Sequence, residues 1–322
     1  MQAQFMWIYG RIKLITFMKA VRIREFGGPE VLHVEEIPRP TPASDEVLIK
    51  VYASGVNPVD WKIRKGMRKD KLPLTPGWDV SGVIEQKGAK VKKFKNGDEV
   101  YSRPDMAKDG TYAEYVTVKA NEVNLKPKSI DHVEAAAVPL AGLTAWQGLF
   151  DHGHLEKGQK VLIHAASGGV GSYAVQFAKW KGAYVIGTTS KDNIDFVEQI
   201  GADKVIDYKN EKFEDEVNDI DLVFDTVGGE TQKRSLSVLK RGGILITTVI
   251  PEFEAEAGEK NITLKGFMGE ANPDQLKMIA ELIDNGEVKP VVTEVLPLEK
   301  AADAQKISEE GHTRGKIVLK VI

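Results

Sequence analysis

The sequence predicts an α/β protein with two domains, a β-rich N-terminal half and a doubly wound parallel sheet. The chain has 322 residues, of which 42% are hydrophobic, and this length favours two cores over one. Short strand patterns, punctuated by Gly, Pro and Asn turns, fill residues 18–125. From Lys160 onward, nearly continuously apolar strands alternate with helices, which is typical of a parallel sheet covered on both faces.

The N-terminal half is predicted to be barrel-like. Val47–Val51 and Gly82–Glu85 have the composition of strands, and residues 131–150 have a mostly helical pattern. At the other end of the chain, Gly315–Ile322 is predicted to be a strand with no partner nearby in sequence. We therefore expect this tail to return to the N-terminal barrel.

Residues 1–17 are partly apolar, but Arg11 and Lys13 interrupt the apolar run that a signal peptide requires. We expect folded sequence to begin at Met18, and residues 1–17 to be an extension that is disordered or a non-native start. No run of about 18 apolar residues occurs, so no membrane-spanning helix is expected. The 44 basic and 47 acidic residues nearly balance, which predicts no nucleic-acid or membrane partner.

The C-terminal half is predicted to contain six parallel strands. They are Val161–Ala165, Tyr184–Thr189, Lys204–Asp207, Leu222–Asp225, Ile244–Thr248 and Ile262–Phe267. Helices are expected between the first five strands, for example Ile194–Ile200 and Thr231–Lys240. An irregular stretch, Pro251–Lys260, joins the last two strands, and Gln275–Asn285 is predicted to be a further helix.

A glycine-rich turn follows the first of these strands. It has the G-x-G-x-x-G spacing, with Ala166 in the first place, and its predicted cofactor-binding residues are Ser167, Gly168, Gly169, Val170 and Gly171. Gly168 lets the backbone approach a pyrophosphate, and Gly171 lets the following helix pack close to the strand. The first helix amides lack intrahelical partners and favour an anion. The alternative is a tight strand–helix turn without a ligand.

The end of the second strand selects between the two nicotinamide cofactors. An NAD-binding domain of this kind needs a carboxylate there for the ribose 2′-hydroxyl. Here the strand ends with Ser190 and Lys191, whose hydroxyl and ammonium groups suit a 2′-phosphate. The sequence therefore predicts NADPH. In the alternative interpretation, Asp192 takes the carboxylate's role and Lys191 is a solvated surface charge.

Several motifs in order resemble one known family. They are Met18-Lys19-Ala20-Val21, Phe26–Leu32, Gly55–Asp60, Pro76–Gly82, Gly142–Trp146 and Gly315–Leu319. Together they resemble the medium-chain dehydrogenase/reductase superfamily, and within it the zinc-independent quinone oxidoreductase and 2-alkenal reductase group. The resemblance implies a GroES-like β-barrel catalytic domain over residues 18–140 and 272–322. It also implies a Rossmann NADP-binding domain over residues 141–271.

The departures from zinc alcohol dehydrogenases bear on the chemistry. Asn57 stands where those enzymes have a cysteine ligand, Trp78 stands where they have a histidine, and a short loop over Tyr101–Gly110 replaces their zinc lobe. The chain contains no cysteine, so neither a disulfide nor a thiolate zinc site is possible. The pair His152 and His154 is interpreted as a solvated loop. We therefore expect no metal, and substrates whose conjugation spreads the developing charge.

The resemblance also implies individual site residues. Asn57, Asp60 and Lys62 are the candidate catalytic residues, and Asn57 and Asp60 are expected to line the cleft between the domains. Thr144, Tyr208, Val249, Ile250 and Arg314 are the implied further contacts to the cofactor. Local alternatives remain: Asn57 with Pro58 is a common turn pair, and Asp60 is a possible cap of a helix that starts at Trp61. Thr144 without a ligand and Arg314 as a surface residue are also open. Tyr52 is a further candidate polar group, but we favour the interpretation that it fills the barrel core.

The resulting functional prediction is an NADPH-dependent oxidoreductase that transfers hydride to a quinone or an α,β-unsaturated carbonyl without zinc. The alternatives are a reductase of another carbonyl class and a non-enzymatic NADPH-binding redox sensor. A cytoplasmic location is expected, because the chain lacks cysteine and a signal peptide. A homodimer is expected through the edge strand Ile262–Phe267, since an apolar edge left open is a liability.

Overall fold

The computed structural model describes residues 3–8, 11–68 and 72–322. The chain divides into two units. Unit 1 contains Met1–Leu140, Ala271–Asp284 and Val292–Ile322, and unit 2 contains Ala141–Glu270 and Asn285–Val291. The predicted boundaries, after residues 140 and 271, lie within one residue of those in the structure. The prediction did not assign Asn285–Val291 to the second unit.

Unit 1 is built mainly from strands. In chain order they are β1 (Ala3–Ile8), β2 (Arg11–Arg22), β3 (His33–Pro38), β4 (Glu46–Val56), β5 (Val80–Lys87), β6 (Glu99–Ser102), β7 (Tyr115–Lys119) and β8 (Val123–Leu125), followed after unit 2 by β15 (Val292–Pro297) and β16 (Lys316–Lys320). Its helices are α1 (Pro58–Arg64), α2 (His132–Ala136), α9 (Pro273–Asp284) and α10 (Ala301–Glu310). Short 3-10 turns lie at Pro29–Val31, Ala120–Glu122 and Leu298–Lys300.

The strands of unit 1 form two sheets. A seven-stranded sheet has the order β15-β16-β4-β5-β6-β8, with β7 also paired to β4, and a second sheet has the order β1-β2-β3. The tail strand β16 pairs antiparallel with β4 from Ile317 opposite Val56 to Lys320 opposite Ala53. The predicted return of the tail to the N-terminal half is therefore confirmed, and it brings Lys316 beside the end of β4.

Unit 2 contains the predicted parallel sheet. Its strands are β9 (Lys160–Ile163), β10 (Tyr184–Thr189), β11 (Lys204–Asp207), β12 (Ile220–Asp225), β13 (Leu239–Thr247) and β14 (Thr263–Gly266). Its helical segments are α3 (Pro139–Trp146, which starts just before the unit boundary), the π-helical turn Gln147–His152, α4 (Gly169–Lys181), the 3-10 turn Lys191–Asn193, α5 (Ile194–Gln199), α6 (Phe213–Glu216), α7 (Gly229–Ser235) and α8 (Glu254–Glu259). The order β11-β10-β9-β12-β13-β14 is the doubly wound order in which the chain reverses direction beside β9.

Two predicted segments of unit 2 are wrong in detail. The helix expected over Thr231–Lys240 ends at Ser235, because Leu239 pairs with Ile220 and already belongs to β13. Tertiary pairing overrides the local helical pattern there. The irregular stretch Pro251–Lys260 contains α8, whose Ala257 is buried in the core.

The N-terminal segment also differs from expectation. We expected folded sequence from Met18, but β2 already begins at Arg11 and pairs antiparallel with β1, from Ala3 opposite Thr16 to Ile8 opposite Arg11. Pairing with β1 therefore extends β2 to residues before Met18, the position at which we expected folded sequence to begin. In the part of the chain that the structure describes, no helix is both long and apolar enough to cross a bilayer.

Candidate functional site

The glycine turn of unit 2 connects β9 to α4. Gly168 is the N-cap of α4 and has no side chain to cap the first-turn amides. A Cβ atom at position 171 would lie 2.2 Å from the carbonyl oxygen of Ala165, so α4 packs directly on the turn. A Cβ at position 168 would meet only that same oxygen, at 3.3 Å. The turn therefore leaves an open space over unpaired helix amides, the geometry that a phosphate requires.

The turn is tied to the neighbouring strand β10. The Thr189 hydroxyl donates a hydrogen bond of 2.8 Å to Ser167 Oγ. A Cβ at Gly187 would lie 2.8 Å from the Cβ of Ala166, so β10 and the turn are in close contact. The position of Ser167 is thus fixed by the carboxyl end of β10.

The carboxyl ends of β10 and β11 form the next part of the site. Thr189 pairs with Asp207, and the Tyr208 amide donates to the Thr189 carbonyl at 3.1 Å. Ser190 is half-buried, whereas Lys191 is exposed and the Tyr208 side chain is 52% exposed. The structure therefore brings Ser190, Lys191 and Tyr208 to one edge of the sheet, where Lys191 and Tyr208 are exposed and the Ser190 hydroxyl oxygen accepts from Asn193 Nδ2 at 3.2 Å.

Other predicted cofactor residues lie elsewhere in unit 2. Val249 and Ile250 follow the end of β13, as predicted; Val249 is half-buried and Ile250 is 75% exposed. A Cβ at Gly228 would lie 2.7 Å from Val249 Cγ2, so the loops after β12 and β13 adjoin. Thr144 is 7% exposed on α3, and a Cβ at Gly269 would lie 2.7 Å from its hydroxyl oxygen.

In unit 1, Asn57 and Asp60 form the N-terminus of helix α1. Asn57 is the N-cap, Pro58 occupies the first helical position, and Asp60 Oδ2 accepts the Asn57 amide at 2.8 Å. The alternative in which Asp60 is the cap of a helix starting at Trp61 is therefore wrong: the N-cap is Asn57, and Asp60 is the third residue of the helix, whose side chain accepts the N-cap amide. The Tyr112 hydroxyl donates to the same oxygen at 2.7 Å.

The Asn57 side chain belongs to a buried polar cluster with Asp79 and Lys316. Asn57 Nδ2 donates to Asp79 Oδ2 at 2.7 Å, and Asn57 Oδ1 accepts from Lys316 Nζ. Lys316 also donates to the Val56 carbonyl at 3.0 Å and to Asp79 Oδ2 at 3.3 Å. Asp79 is 0% exposed, Asn57 2% and Lys316 4%. A lysine and an aspartate at this depth are tolerated because each pairs with the other and with polar neighbours.

Burial shifts the titration of this cluster. Desolvation raises the pKa of Asp60 to about 7, opposed by the Asn57 amide, the Tyr112 hydroxyl and Lys316. Desolvation also raises the pKa of Asp79, and Lys316 is the largest opposing influence. The pKa of Tyr112 lies well above its usual range because of burial and the Asp60 charge. Asp60 Oδ1 is buried without a partner, so its ionised form is incompletely satisfied.

Two family models match the chain. The alcohol dehydrogenase GroES-like domain matches residues 43–128, and the zinc-binding dehydrogenase model matches residues 200–319. The mitochondrial NAD(P)H oxidoreductase RTN4IP1 of Mus musculus is 36% identical over 360 residues, covering 95% of this chain and 90% of that protein. The chloroplastic NADPH-dependent alkenal/one oxidoreductase of Arabidopsis thaliana is 37% identical over 316 residues, covering 94% of this chain and 79% of that protein.

Solved structures agree with these matches. The quinone oxidoreductase from Coxiella burnetii has a TM-score of 0.90 at 33% identity, covering 95% of this chain and 100% of that chain. The chain belongs to the quinone oxidoreductase and alkenal reductase group of the medium-chain dehydrogenases and reductases. The quinone oxidoreductase of Escherichia coli, solved in complex with NADPH, has a TM-score of 0.87 at 28% identity, covering 94% and 99% of the two chains. The predicted family and its GroES-like and Rossmann fold classes are confirmed.

One matched family model carries zinc in its description, and the residues of this reductase do not fit that metal. Structural and catalytic zinc sites use at least three protein ligands drawn from Cys, His and carboxylates. Within residues 3–8, 11–68 and 72–322, no three His, Cys, Asp or Glu side chains are grouped to hold a metal ion. Trp78 is fully buried, and the cation beside Asn57 and Asp79 is the Lys316 ammonium.

The histidine pair expected to be solvated is only partly so. His154 is exposed, but His152 is half-buried, with its ring 4.7 Å from that of Phe267 and its Nδ1 3.1 Å from Lys265 Nζ. Burial and Lys265 lower the pKa of His152. The interpretation as a solvated loop is therefore wrong for His152, because Phe267 supplies an apolar surface that the local sequence does not reveal.

The remaining predicted residues of this reductase have simpler settings. Lys62 is exposed on α1, with its Nζ 5.6 Å from the Trp61 ring centroid. Tyr52, which we expected to be core, is half-buried against the His132 ring at 4.6 Å. Arg314 is exposed, and its carbonyl accepts from the Thr293 hydroxyl at 2.6 Å. Of these three, only Lys62 shares an element with the Asn57 and Asp60 pair.

Sequence reasoning missed one residue of unit 2 that organises the nucleotide-domain loops. Asp225, at the end of β12, is fully buried and accepts from the amides of Val227 at 2.8 Å and Gly228 at 3.0 Å. It also accepts from the Thr247 hydroxyl at 3.0 Å, which joins the ends of β12 and β13. An aspartate between an apolar strand and a Gly-Gly pair was the available signal.

The raised pKa of Asp60 makes a testable prediction about stability. A carboxyl whose folded pKa exceeds its unfolded value stabilises the fold fully below the unfolded pKa, and loses that stabilisation as pH rises through the folded value. For Asp60 this window runs from about 4 to about 7. Wild type should therefore lose stability between pH 5 and pH 8, and Asp60→Asn, which cannot ionise, should not lose it. We expect the free energy of unfolding of Asp60→Asn, relative to that of wild type, to be about 2–3 kcal/mol higher at pH 8 than at pH 5. Denaturant unfolding at both pH values measures this difference.

The matched control is Asp303→Asn, because Asp303 is exposed on α10 and pairs with Lys300 at 3.0 Å. Its stability relative to wild type should be the same at both pH values. If Asp60→Asn tracked wild type across the range, Asp60 would titrate as an ordinary carboxyl and the account of its burial would be wrong.

Proposed function

We propose that this protein is an NADPH-dependent oxidoreductase that transfers hydride to a quinone or an α,β-unsaturated carbonyl without a metal ion. The observation that carries the proposal is the shared edge of β10 and β11, where Ser190, Lys191 and Tyr208 present two hydroxyls and an ammonium. A 2′-phosphate has acceptor oxygens and negative charge that match this set. The relatives named as alkenal/one and quinone oxidoreductases support the reaction class.

The chain's own residues would hold the cofactor in two places. The amides at the start of α4, around Gly169 and Val170, would bind the pyrophosphate. Ser190, Lys191 and Tyr208 would bind the 2′-phosphate. NADPH supplies a hydride when bound. Thr144, Val249, Ile250 and Arg314 remain proposed contacts that position the cofactor.

Reduction of a conjugated substrate requires less stabilisation of negative charge by the protein than reduction of an isolated carbonyl does. When charge spreads over a quinone or an enone, a few hydrogen-bond donors stabilise the developing oxyanion. Lys62 is the exposed ammonium on α1, and Asn57 Nδ2 carries a second proton besides the one given to Asp79. These two groups are the proposed donors, and Asp60 accepts the Asn57 backbone amide at the start of the helix that carries Lys62.

The function is tested with purified protein, NADPH, and a panel of quinones, 2-alkenals, simple aldehydes and alcohols. We expect NADPH consumption with the quinones or alkenals, unchanged after dialysis against a chelator. The Asn57→Ala, Lys62→Ala double variant should lose about 100-fold or more in kcat, the cost typical of removing an oxyanion donor. Lys65→Ala, one turn along α1 and paired with Glu309, is the matched control.

The other outcomes identify the alternatives. Turnover confined to simple aldehydes would favour a reductase of another carbonyl class. Tight NADPH binding with no turnover across the panel would favour a redox sensor. A double variant with nearly wild-type kcat would remove Asn57 and Lys62 from the chemistry while leaving the reaction class intact.

The proposal extends to assembly and location. Strand β14, Thr263–Gly266, is an edge of the six-stranded sheet, and pairing with a second copy would cover it. We propose a homodimer through this edge, which sedimentation of wild type and of Leu264→Pro would test, because proline removes a strand hydrogen-bond donor. We propose a cytoplasmic location from the sequence alone. The relatives do not support it, because they include proteins named as mitochondrial and chloroplastic.

A further inference from the structure

Lys316 is a deeply buried lysine with three hydrogen-bond acceptors around its ammonium group. It is 4% exposed, and its Nζ donates to the Val56 carbonyl, Asn57 Oδ1 and Asp79 Oδ2. An ammonium group has three donors, so all three are used. A buried charge satisfied this completely is held in one geometry, because moving it would cost the ammonium its three acceptors and would leave Asp79 without a counter-charge.

The consequence falls on the Asn57 amide, whose two ends are chemically different. Oδ1 accepts from Lys316, and Nδ2 donates to Asp79 Oδ2 at 2.7 Å. If the amide rotated by half a turn, its NH2 would face the ammonium and its oxygen would face the carboxylate. Both contacts would then be repulsive, so the two charges together select one orientation of the amide.

That selection leaves one N–H of Asn57 that Asp79 does not accept. Nδ2 carries two protons, of which Asp79 accepts one. Without Lys316, Oδ1 would lose its donor, and only the Asp79 contact would favour this orientation of the amide. With it, the remaining N–H has a fixed direction, and the backbone of Asn57 is fixed as well, because its amide binds Asp60 at 2.8 Å.

We propose that Lys316 is a positioning residue that acts through Asn57, holding the amide so that its second N–H is presented to the substrate oxygen. The inference rests on the proposed donor role of Asn57. Lys316 lies 259 residues from Asn57 and reaches it because β16 pairs antiparallel with the end of β4. Strand β16 thus places the Lys316 ammonium beside the start of α1. Lys316 can affect the rate without contacting the substrate.

The central test is a double-mutant cycle of Asn57→Ala and Lys316→Met, because methionine keeps much of the side-chain volume without the charge. Lys316→Met alone should lower kcat by about 10–100-fold, the cost of losing alignment at a reacting group, with less than about threefold change in KM for NADPH. In the Asn57→Ala background the same substitution should lower kcat by less than about twofold, since the residue it acts through is gone. Lys320→Met, exposed on the same strand, is the matched control and should match wild type.

Two further variants keep the outcome decisive. Lys316→Arg retains the buried charge and should recover most of the kcat lost in Lys316→Met. In Lys316→Ala, added n-propylammonium should raise both kcat and the unfolding temperature, whereas n-propanol should raise neither, because only the former replaces the missing charge. The rise in unfolding temperature is measured without substrate or NADPH, so it tests the cation site even if the proposed reaction fails.

Three results would overturn the inference. Independent losses of kcat in the double-mutant cycle would mean that Lys316 does not act through Asn57. A folded Lys316→Arg as slow as Lys316→Met would mean that the charge is not what positions the amide. If Lys316→Met does not fold, an equal response of Lys316→Ala to n-propanol and n-propylammonium decides against the proposal. Wild type with no turnover on any panel member would instead refute the proposed function.

Discussion

Gly171→Ala is expected to weaken NADPH binding by at least about tenfold and to lower the free energy of unfolding by about 1–3 kcal/mol. A Cβ at this position would lie 2.2 Å from the carbonyl oxygen of Ala165 and 2.8 Å from the Cα of Ala166. Both are backbone atoms, which cannot turn aside as a flexible side chain can. Helix α4 must therefore move away from β9, and its first-turn amides move with it.

The two effects have one cause but separate measurements. Displacing the helix start misaligns the amides that would bind the pyrophosphate, and this is measured by NADPH titration. Crowding the turn against the sheet strains the folded state, and this is measured by denaturant unfolding without cofactor. Gly171→Val should be worse in both, because two further methyl groups enter the same contact.

The control is Gly258→Ala, which lies in α8 of the same unit. A side chain there meets nothing within 4 Å. Alanine is favoured over glycine in a helix by up to about 1 kcal/mol, so this variant should be as stable as wild type or slightly more stable. Normal NADPH affinity in Gly171→Ala would mean that the turn is a strand–helix connection without a ligand.

The part of the fold that sequence predicted well is the part fixed by local pattern. Tyr184–Thr189 and Lys204–Asp207 have the predicted bounds as β10 and β11, because apolar strands bounded by turn residues leave little choice of register. The glycine turn could likewise be predicted from the sequence, because the spacing of its glycines indicates where the following helix begins. The end of the helix predicted at Thr231–Lys240 was not, because pairing of Leu239 with Ile220 is a tertiary contact.

The polar cluster of unit 1 was only half predictable. Asn57 and Asp60 stand out because they sit within one short motif. Asp79 is 22 residues from Asn57 and Lys316 is 259 residues away, and the pairing of β4 with β5 and with β16 brings them together. A lysine beside the apolar run Ile317–Leu319 was the available signal, since lysine is almost never fully buried without a partner. Recognising that partner required the fold.

Lys191→Ala is expected to raise the Kd for NADPH by about tenfold and to leave the Kd for NADH within about twofold, because only NADPH carries the 2′-phosphate that the ammonium would bind. Lys191 is exposed at the end of β10, next to half-buried Ser190 and one strand away from exposed Tyr208. Tyr208→Phe should cause a smaller loss, because it removes a neutral hydrogen bond. Competition titrations with both cofactors measure the preference.

The dependence on salt separates this interpretation from its alternative. If Lys191 binds a phosphate in an exposed place, the preference for NADPH should shrink as salt rises, because exposed charges are screened. Lys212→Ala, an exposed lysine just before α6, should leave both affinities unchanged. Equal affinities for NADPH and NADH in wild type, or a loss of NADH binding in Asp192→Ala, would instead assign the ribose contact to Asp192. In that case the shared edge of β10 and β11 would be an NAD site, and the cofactor in the proposed reaction would change while the hydride acceptor stayed the same.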